Sequence, residues 1–207
     1  MKADGEVCIY GLFAPQALTR LLEYADAERI LDIGSGAGLQ ADVMRNSGRH
    51  VTTLSLLPPA DIVGNYLDFN VCKPFDVIWA SHVLEHQPDV GAFLRKCFAD
   101  LRDDGILCIT VPPLKDNLVG GHVALFNQGT LLYNLILSGF DCREARVSPV
   151  YANAPDQPPY NISVIVRKVK AQLPALTYDA GDIERLAQFF PVSVSQNCDG
   201  RDVIANW

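Results

Sequence analysis

The stretch Ile30-Leu31-Asp32-Ile33-Gly34-Ser35-Gly36-Ala37-Gly38 decides the fold. A short apolar run, Arg29 to Ile33, passes directly into glycines spaced Gly-x-Gly-x-Gly, and Leu39 to Asn46 then reads as a helix. A strand that feeds a helix in this way aims backbone N–H groups and the helix N-terminus at one spot. The glycines let a ligand approach that backbone closely.

On either side of this loop, strand and helix patterns alternate. Before it, Pro15 opens a helix that carries Leu18, Leu21, Leu22 and Ala25 at helical spacing. After it come His50 to Leu54 as a second β-rich run, Asp61 to Tyr66 as a weak third, and Phe75 to Ala80 (FDVIWA), apolar enough to be buried on both faces. Pro88 to Arg102 is the clearest helix, with Val90, Phe93, Leu94, Cys97, Phe98 and Leu101 on one face and Gly105 expected to close its far end. Ile106 to Val111 is a fifth strand. Pro112 to Phe126 has no period and reads as a loop beyond that strand's carboxyl end. Asn127 can cap a helix that reaches Ser138 and stops at Gly139; Cys142 to Val150 and Tyr160 to Val169 are two further β-rich runs. Such alternation predicts an α/β protein whose mostly parallel sheet carries helices on both faces, with an antiparallel last strand supplied by the terminal hairpin.

Composition narrows the class. With 207 residues, 49% hydrophobic and 20% charged, the chain can build one sizeable core. A net charge of -7 argues against a nucleic-acid surface; the cluster Arg167 to Lys170 reads as a solvated strand end. No run approaches the ~18 apolar residues of a membrane span, and the start lacks a signal-peptide segment, so no membrane partner and a cytoplasmic location are expected. The six cysteines lack ligand spacing and read as reduced thiols, mostly buried. Residues 1–170 are expected to form the main domain. Residues 171–207 form an extension with one amphipathic helix (Ile183, Leu186, Ala187, Phe190), serving as a clasp, a lid or a homodimer contact.

The Gly-x-Gly-x-Gly loop behind Asp32 occurs together with two further phrases in order, FDVIWASHVLEHQPDV (Phe75 to Val90) and LRDDGILCITVPP (Leu101 to Pro113). At these three places the chain resembles the class I S-adenosylmethionine (SAM)-dependent methyltransferases, over about Ala14 to Val169. SHVLEH with VPPLKDNLVGGH is most similar to members that act on small metabolites and surface-polysaccharide sugars. The resemblance implies a Rossmann-like, seven-stranded sheet and SAM as cofactor. It places Gly34, Ser35, Gly36 and Gly38 under the amino-acid part of SAM, Asp32 towards its ammonium, Ser55 and Leu56 near the ribose, Asn65 or Asp68 near the adenine, and Ser81 at the end of the fourth strand. A nicotinamide oxidoreductase would instead carry Gly-x-Gly-x-x-Gly and an acid after the second strand.

Two positions depart from that family's pattern. Ser55 stands where an acid normally accepts from both ribose hydroxyls, and Asn65 where an Asp often faces the adenine. A hydroxyl cannot grip two hydroxyls at once, so SAM affinity is expected to fall by about one or two decades. The alternative is a catalytically silent interaction protein that keeps the fold.

Methyl transfer from a sulfonium is an in-line displacement that needs alignment and, for a hydroxyl acceptor, a base. Three of the four histidines suit that work near neutrality: His82 and His86 beyond the fourth strand and His122 beyond the fifth; His50 reads as structural. His82 is favoured to line the cavity and His86 to pack locally. The flexibility of Gly120-Gly121 would let the loop bearing His122 close over a substrate. Glu85 could orient a histidine, and Lys115 and Asp116 are weaker candidates. His82 and His86 form an HxxxH pair, but with no third ligand evident in the sequence no metal is expected. The function expected is methylation of a small hydroxylated acceptor, a sugar or other metabolite.

Overall fold

The computed structural model describes residues 14–114, 117–148, 161–192 and 206–207. Its centre is a seven-stranded sheet: β1 (Arg29–Ile33), β2 (His50–Ser55), β3 (Ile62–Val63), β4 (Phe75–Ser81), β5 (Leu101–Val111), β6 (Arg146–Ser148) and β7 (Ile162–Arg167). The spatial order is β3-β2-β1-β4-β5-β7-β6. Pairs among β1 to β5 run parallel, while β7 is antiparallel to both β5 and β6.

The central strands are covered on both faces, which explains their unbroken apolar sequence: Val77, Ile78, Trp79 and Ala80 of β4 have no exposed surface. On one face, Ile30, Val77, Trp79 and Cys108 pack against α1 (Pro15–Leu22) and α2 (Leu39–Asn46). On the other, Leu31, Ile78 and Leu107 share a core with α3 (Val90–Asp100) and α4 (Gln128–Leu137). Leu186 of α5 (Asp182–Leu186), with Phe189 and Phe190, joins this second core. Part of the extension is therefore continuous with the main hydrophobic interior. At the sheet's edge, Asn206 accepts from the Val147 N–H at 2.6 Å and donates to the Ala145 carbonyl at 2.9 Å.

Caps define the helix ends as the sequence indicates. Asn127 accepts from the Thr130 N–H at 2.7 Å and Thr130 Oγ1 accepts from the Asn127 N–H at 2.9 Å, a reciprocal box, while Gly139 takes φ +107° just past the end. Elsewhere the boundaries move. The third strand is only two residues long, because Asn65 turns its side chain back to accept from the Leu67 N–H and starts a 3-10 turn over Tyr66–Asp68. The long helix ends at Asp100, with Leu101 already extended, and Gly105 lies inside β5 rather than at a helix end. A Cβ on Gly105 would sit 2.8 Å from the Arg102 carbonyl oxygen and 3.1 Å from that of Asp76, and the β4–β5 register shifts nearby, between Phe75 and Val77. The sixth strand occupies only Arg146–Ser148, because Cys142 to Ala145 forms a turn closed by the Ala145 N–H on the Cys142 carbonyl. Pro149, Val150 and Tyr160 lie outside the described residues.

The basic end of β7 is engaged in ion pairs: Arg167 meets Asp26 at 2.8 Å and Asp104 at 3.3 Å, and Lys168 Nζ donates to the Leu101 carbonyl. Cys97, Cys108 and Cys142 are buried thiols, and burial pushes Cys97 up to about 12; Cys72 is exposed, and Cys8 and Cys198 lie outside the described residues. Among the described residues no helix is long and apolar enough to cross a membrane.

Candidate cofactor and active site

The carboxyl ends of the parallel strands open onto a cavity of about 350 Å³. Its floor is Ile33 from β1 and Gly34 just beyond it, with Leu54 and Ser55 from β2; Asn65, His82, Val83 and His86 also line it. Position in the sheet explains the choice of residues, since ligands of open α/β sheets collect where neighbouring crossovers diverge.

Gly34 has φ +73°, and a Cβ there would drive into the Val83 side chain, so the residue is fixed as glycine by both conformation and space. Its N–H donates to the Leu54 carbonyl at 2.7 Å, which locks the loop to β2. Gly36 and Gly38 also take positive φ but do not touch the cavity wall; they turn the chain into α2, whose N-terminus has no side-chain cap. Behind the floor, Asp32 is 1% exposed and its Oδ2 has no hydrogen-bond partner among the described residues; the buried Oγ of Ser35 has none among them either. Burial raises the Asp32 carboxyl to about 7, with the Arg45 charge pulling weakly the other way. A buried carboxylate without a donor beside an uncapped helix start fits an amino-acid group that carries both an ammonium and a carboxylate.

The residues expected at the nucleoside end are neutral. Ser55 and the 71% exposed Leu56 lie on the wall. Asn65 is there too, but its Oδ1 is held by the Leu67 N–H. Asp68 is exposed and lies off the wall, so it does not substitute for Asn65. The nearest acid after β2, Asp61, is bound elsewhere: it accepts from the Thr53 N–H and Oγ1, both at 2.8 Å, and from Arg45 at 3.0 Å. Those bonds hold its carboxyl below the usual carboxylate range. Ser81 is also off the wall, 3.0 Å from the Thr110 hydroxyl.

His82 has φ +56°, an uncommon conformation for a non-glycine residue, and it directs the ring onto the cavity wall. Its Nε2 meets the side-chain oxygen of Asn161, a fully buried residue ahead of β7, and its Nδ1 lies 3.2 Å from Glu85 Oε1. His86 is also on the wall, with Nδ1 2.7 Å from the Gly121 carbonyl oxygen. A carbonyl only accepts, so Nδ1 carries the proton and Nε2 is the accepting nitrogen of the neutral ring. His122 lines a second cavity of about 310 Å³ with Pro112, Leu118 and Leu125, and its ring meets that of His86 edge to face at 4.9 Å. Its loop is tied down, since the Val123 and Ala124 N–H groups donate to the Glu85 carbonyl at 2.8 and 3.1 Å. Lys115 and Asp116 lie outside the described residues.

Asn161 and Glu85 are the members whose importance sequence understates. Asn161 joins a histidine 79 positions earlier, a pairing that only the β5–β7 register creates. Glu85 is 1% exposed, where a charged residue in a sequence defaults to the surface.

A strand-loop-helix floor with a buried acid behind it, under a cavity at the switch of a parallel sheet, defines a nucleoside-cofactor transferase fold of the Rossmann-like type. A family model described as "Methyltransferase domain" matches residues 10–137, and the chain belongs to that family, the class I SAM-dependent methyltransferases. Among curated relatives, "Ubiquinone biosynthesis O-methyltransferase" of Methylocella silvestris is 32% identical over 46% of this chain and 41% of its own length. The protein of the same name from Xylella fastidiosa strain M23 is 30% identical over 40% of this chain and 41% of its own. The matches thus span about two fifths of those relatives. Among solved structures, a SAM-dependent methyltransferase from Archaeoglobus fulgidus shares the fold at TM-score 0.60 and 17% identity, covering 73% of this chain and 91% of its own. The 1,6-didemethyltoxoflavin-N1-methyltransferase of Burkholderia thailandensis, determined with S-adenosylhomocysteine, does so at TM-score 0.63 and 19% identity, covering 75% and 77%.

Proposed function

We propose that the chain transfers a methyl group from SAM to a hydroxyl of a small acceptor, a sugar or other metabolite. The observation that carries this reading is the buried pair Asp32 Oδ2 and Ser35 Oγ behind the Gly34 floor, which have no hydrogen-bond partner among the described residues and are of the kind that the amino-acid end of the cofactor would satisfy. When bound, SAM supplies a methyl on a positively charged sulfur, ready for in-line displacement. The protein's share is alignment and proton handling. Asp32 would face the ammonium, the α2 N-terminus the carboxylate, and Ser55 with Asn65 the nucleoside. His82 and His86 stand on the cavity wall, with His122 edge to face on His86, as the candidate bases for the acceptor proton, and the His86 tautomer leaves Nε2 as the accepting nitrogen. A hydroxyl acceptor also agrees with the O-methyltransferase names of the curated relatives.

Incubating the protein with methyl-labelled SAM and a panel of nucleotide-sugars, phenols and hydroxy acids tests the proposal. Label transferred to a hydroxylated acceptor is the expected result. A second reading, a fold retained for binding partners without catalysis, draws on the neutral ribose end at Ser55; stable partner complexes with no label transferred to any acceptor would favour it.

A further inference from the structure

We propose that Glu85, His86 and His122 form a binding site for one first-row divalent cation of the zinc type, set between the two cavities. One ligand atom from each of these residues lies within 4.8 Å of the other two. Glu85 Oε1 and His86 Nε2 are 4.0 Å apart, and a shift of about 0.5 Å would bring them to the roughly 3.3–3.6 Å that two ligand atoms at ~2.0–2.2 Å span around a tetrahedral cation.

Three features separate this trio from a chance gathering. Glu85 is 1% exposed and neither carboxylate oxygen has a hydrogen bond among the described residues; His82 Nδ1 approaches Oε1 at 3.2 Å, and Oε2 is a buried oxygen of the kind that is ordinarily hydrogen-bonded or bound to metal. His86 donates Nδ1–H to the Gly121 carbonyl, the outer bond that metal-ligating histidines typically make, and so presents Nε2 as a lone pair. The geometry is also braced from both sides. The Glu85 carbonyl holds the loop that carries His122, and His82 Nδ1 stands 3.2 Å from Glu85 Oε1. Gly121 has φ +80°, and a Cβ there would lie 3.0 Å from His86 Nδ1, so the glycine is what allows the carbonyl to reach the ring.

Two imidazoles and one carboxylate favour zinc, manganese or iron over magnesium or calcium, which prefer all-oxygen sets. Three protein ligands leave a coordination position open. His86 lines the first cavity and His122 the second, so that position faces the junction where acceptor and cofactor would meet. Resting on the methyl-transfer reading, the cation's role follows. With the cation bound, His86 Nε2 is a ligand and no longer a base, so an acceptor hydroxyl fills the open position and loses its proton to water. Its oxygen then bonds the methyl carbon as the carbon–sulfur bond breaks, the electron pair staying on sulfur.

Calorimetric titration of the chelator-stripped full-length chain with ZnCl2 tests the site, with Co2+ absorption as a second readout and S-adenosylhomocysteine titrated in parallel. Expected are one zinc per chain at micromolar affinity or tighter, and a Co2+ spectrum of nitrogen and oxygen ligands without a thiolate charge-transfer band. Affinity should fall at least 10-fold in His86→Ala and His122→Ala. Glu85→Gln should behave alike, and because that residue is buried, His122→Ala on the cavity loop keeps the test independent of folding. No saturable zinc binding, a thiolate-type cobalt spectrum, or unchanged affinity in His122→Ala overturns the site. Failure of S-adenosylhomocysteine to bind strikes the methyl-transfer reading instead, and leaves the zinc result to stand or fall by itself.

Discussion

Asp32→Asn should stabilise the ligand-free protein at neutral pH and, at the same time, weaken cofactor binding. Burial raises the Asp32 carboxyl from 3.8 to about 7, so the folded chain holds this proton more tightly than the unfolded chain. The contribution to stability is therefore complete below pH ~3.8, is lost as the pH climbs to about 7, and is level above that. At ~1.36 kcal/mol per pH unit the whole loss is at most about 4 kcal/mol, of which about 2–3 falls between pH 5 and pH 8. An amide of the same shape does not titrate. Urea unfolding of both proteins without ligand, at a series of pH values, should show the variant gaining on the wild type by that amount from pH 5 to pH 8. The remaining titrations cancel in the difference. Cofactor ammonium beside Asp32 would restore the carboxylate, so binding near pH 6 should release a proton, seen as a calorimetric heat that varies with buffer ionisation enthalpy in the wild type alone. Parallel stability curves for the two proteins would refute the account of Asp32 as a buried acid without a donor.

Ser55→Asp restores an acceptor for both ribose hydroxyls and should tighten S-adenosylhomocysteine binding by about 10- to 100-fold in calorimetry; unchanged affinity would remove Ser55 from the ribose. Gly121→Ala forces a side chain into a left-handed residue against the His86 ring, and nitrogen-15 imidazole spectra should show His86 losing its Nδ1–H tautomer. Asn127→Ala removes the reciprocal cap of α4 and should cost about 1 kcal/mol, a fall in Tm of roughly 2–4 °C, read by thermal unfolding.

The sheet was legible because its signals are local. A glycine loop between β1 and α2, the run FDVIWA and the Asn127 cap each act within one turn or one strand, and the structure places all of them as expected. Boundaries failed where one residue serves two purposes. Asp104-Gly105 stops a helix as readily as it bends a strand, and here the Arg102 carbonyl, 2.8 Å from where a Cβ would sit, favours glycine within β5. At the site, Gly34, Ser55, Leu56, Asn65, His82 and His86 share one cavity wall, but Asp68 does not, because the 3-10 turn started by Asn65 leaves it exposed. What sequence could not carry is long-range placement. His122 meets His86 across 36 residues, through a loop pinned by the Glu85 carbonyl, and no spacing rule connects those three positions.

Titration of the full-length chain with S-adenosylhomocysteine, beside Gly34→Ala, tests the central claim most directly. The account predicts saturable one-to-one binding to the wild type and its loss in the folded variant, whose new Cβ meets the Val83 side chain across the cavity lining. A folded wild type that gives no heat at millimolar ligand, or a variant that binds equally well, would contradict it.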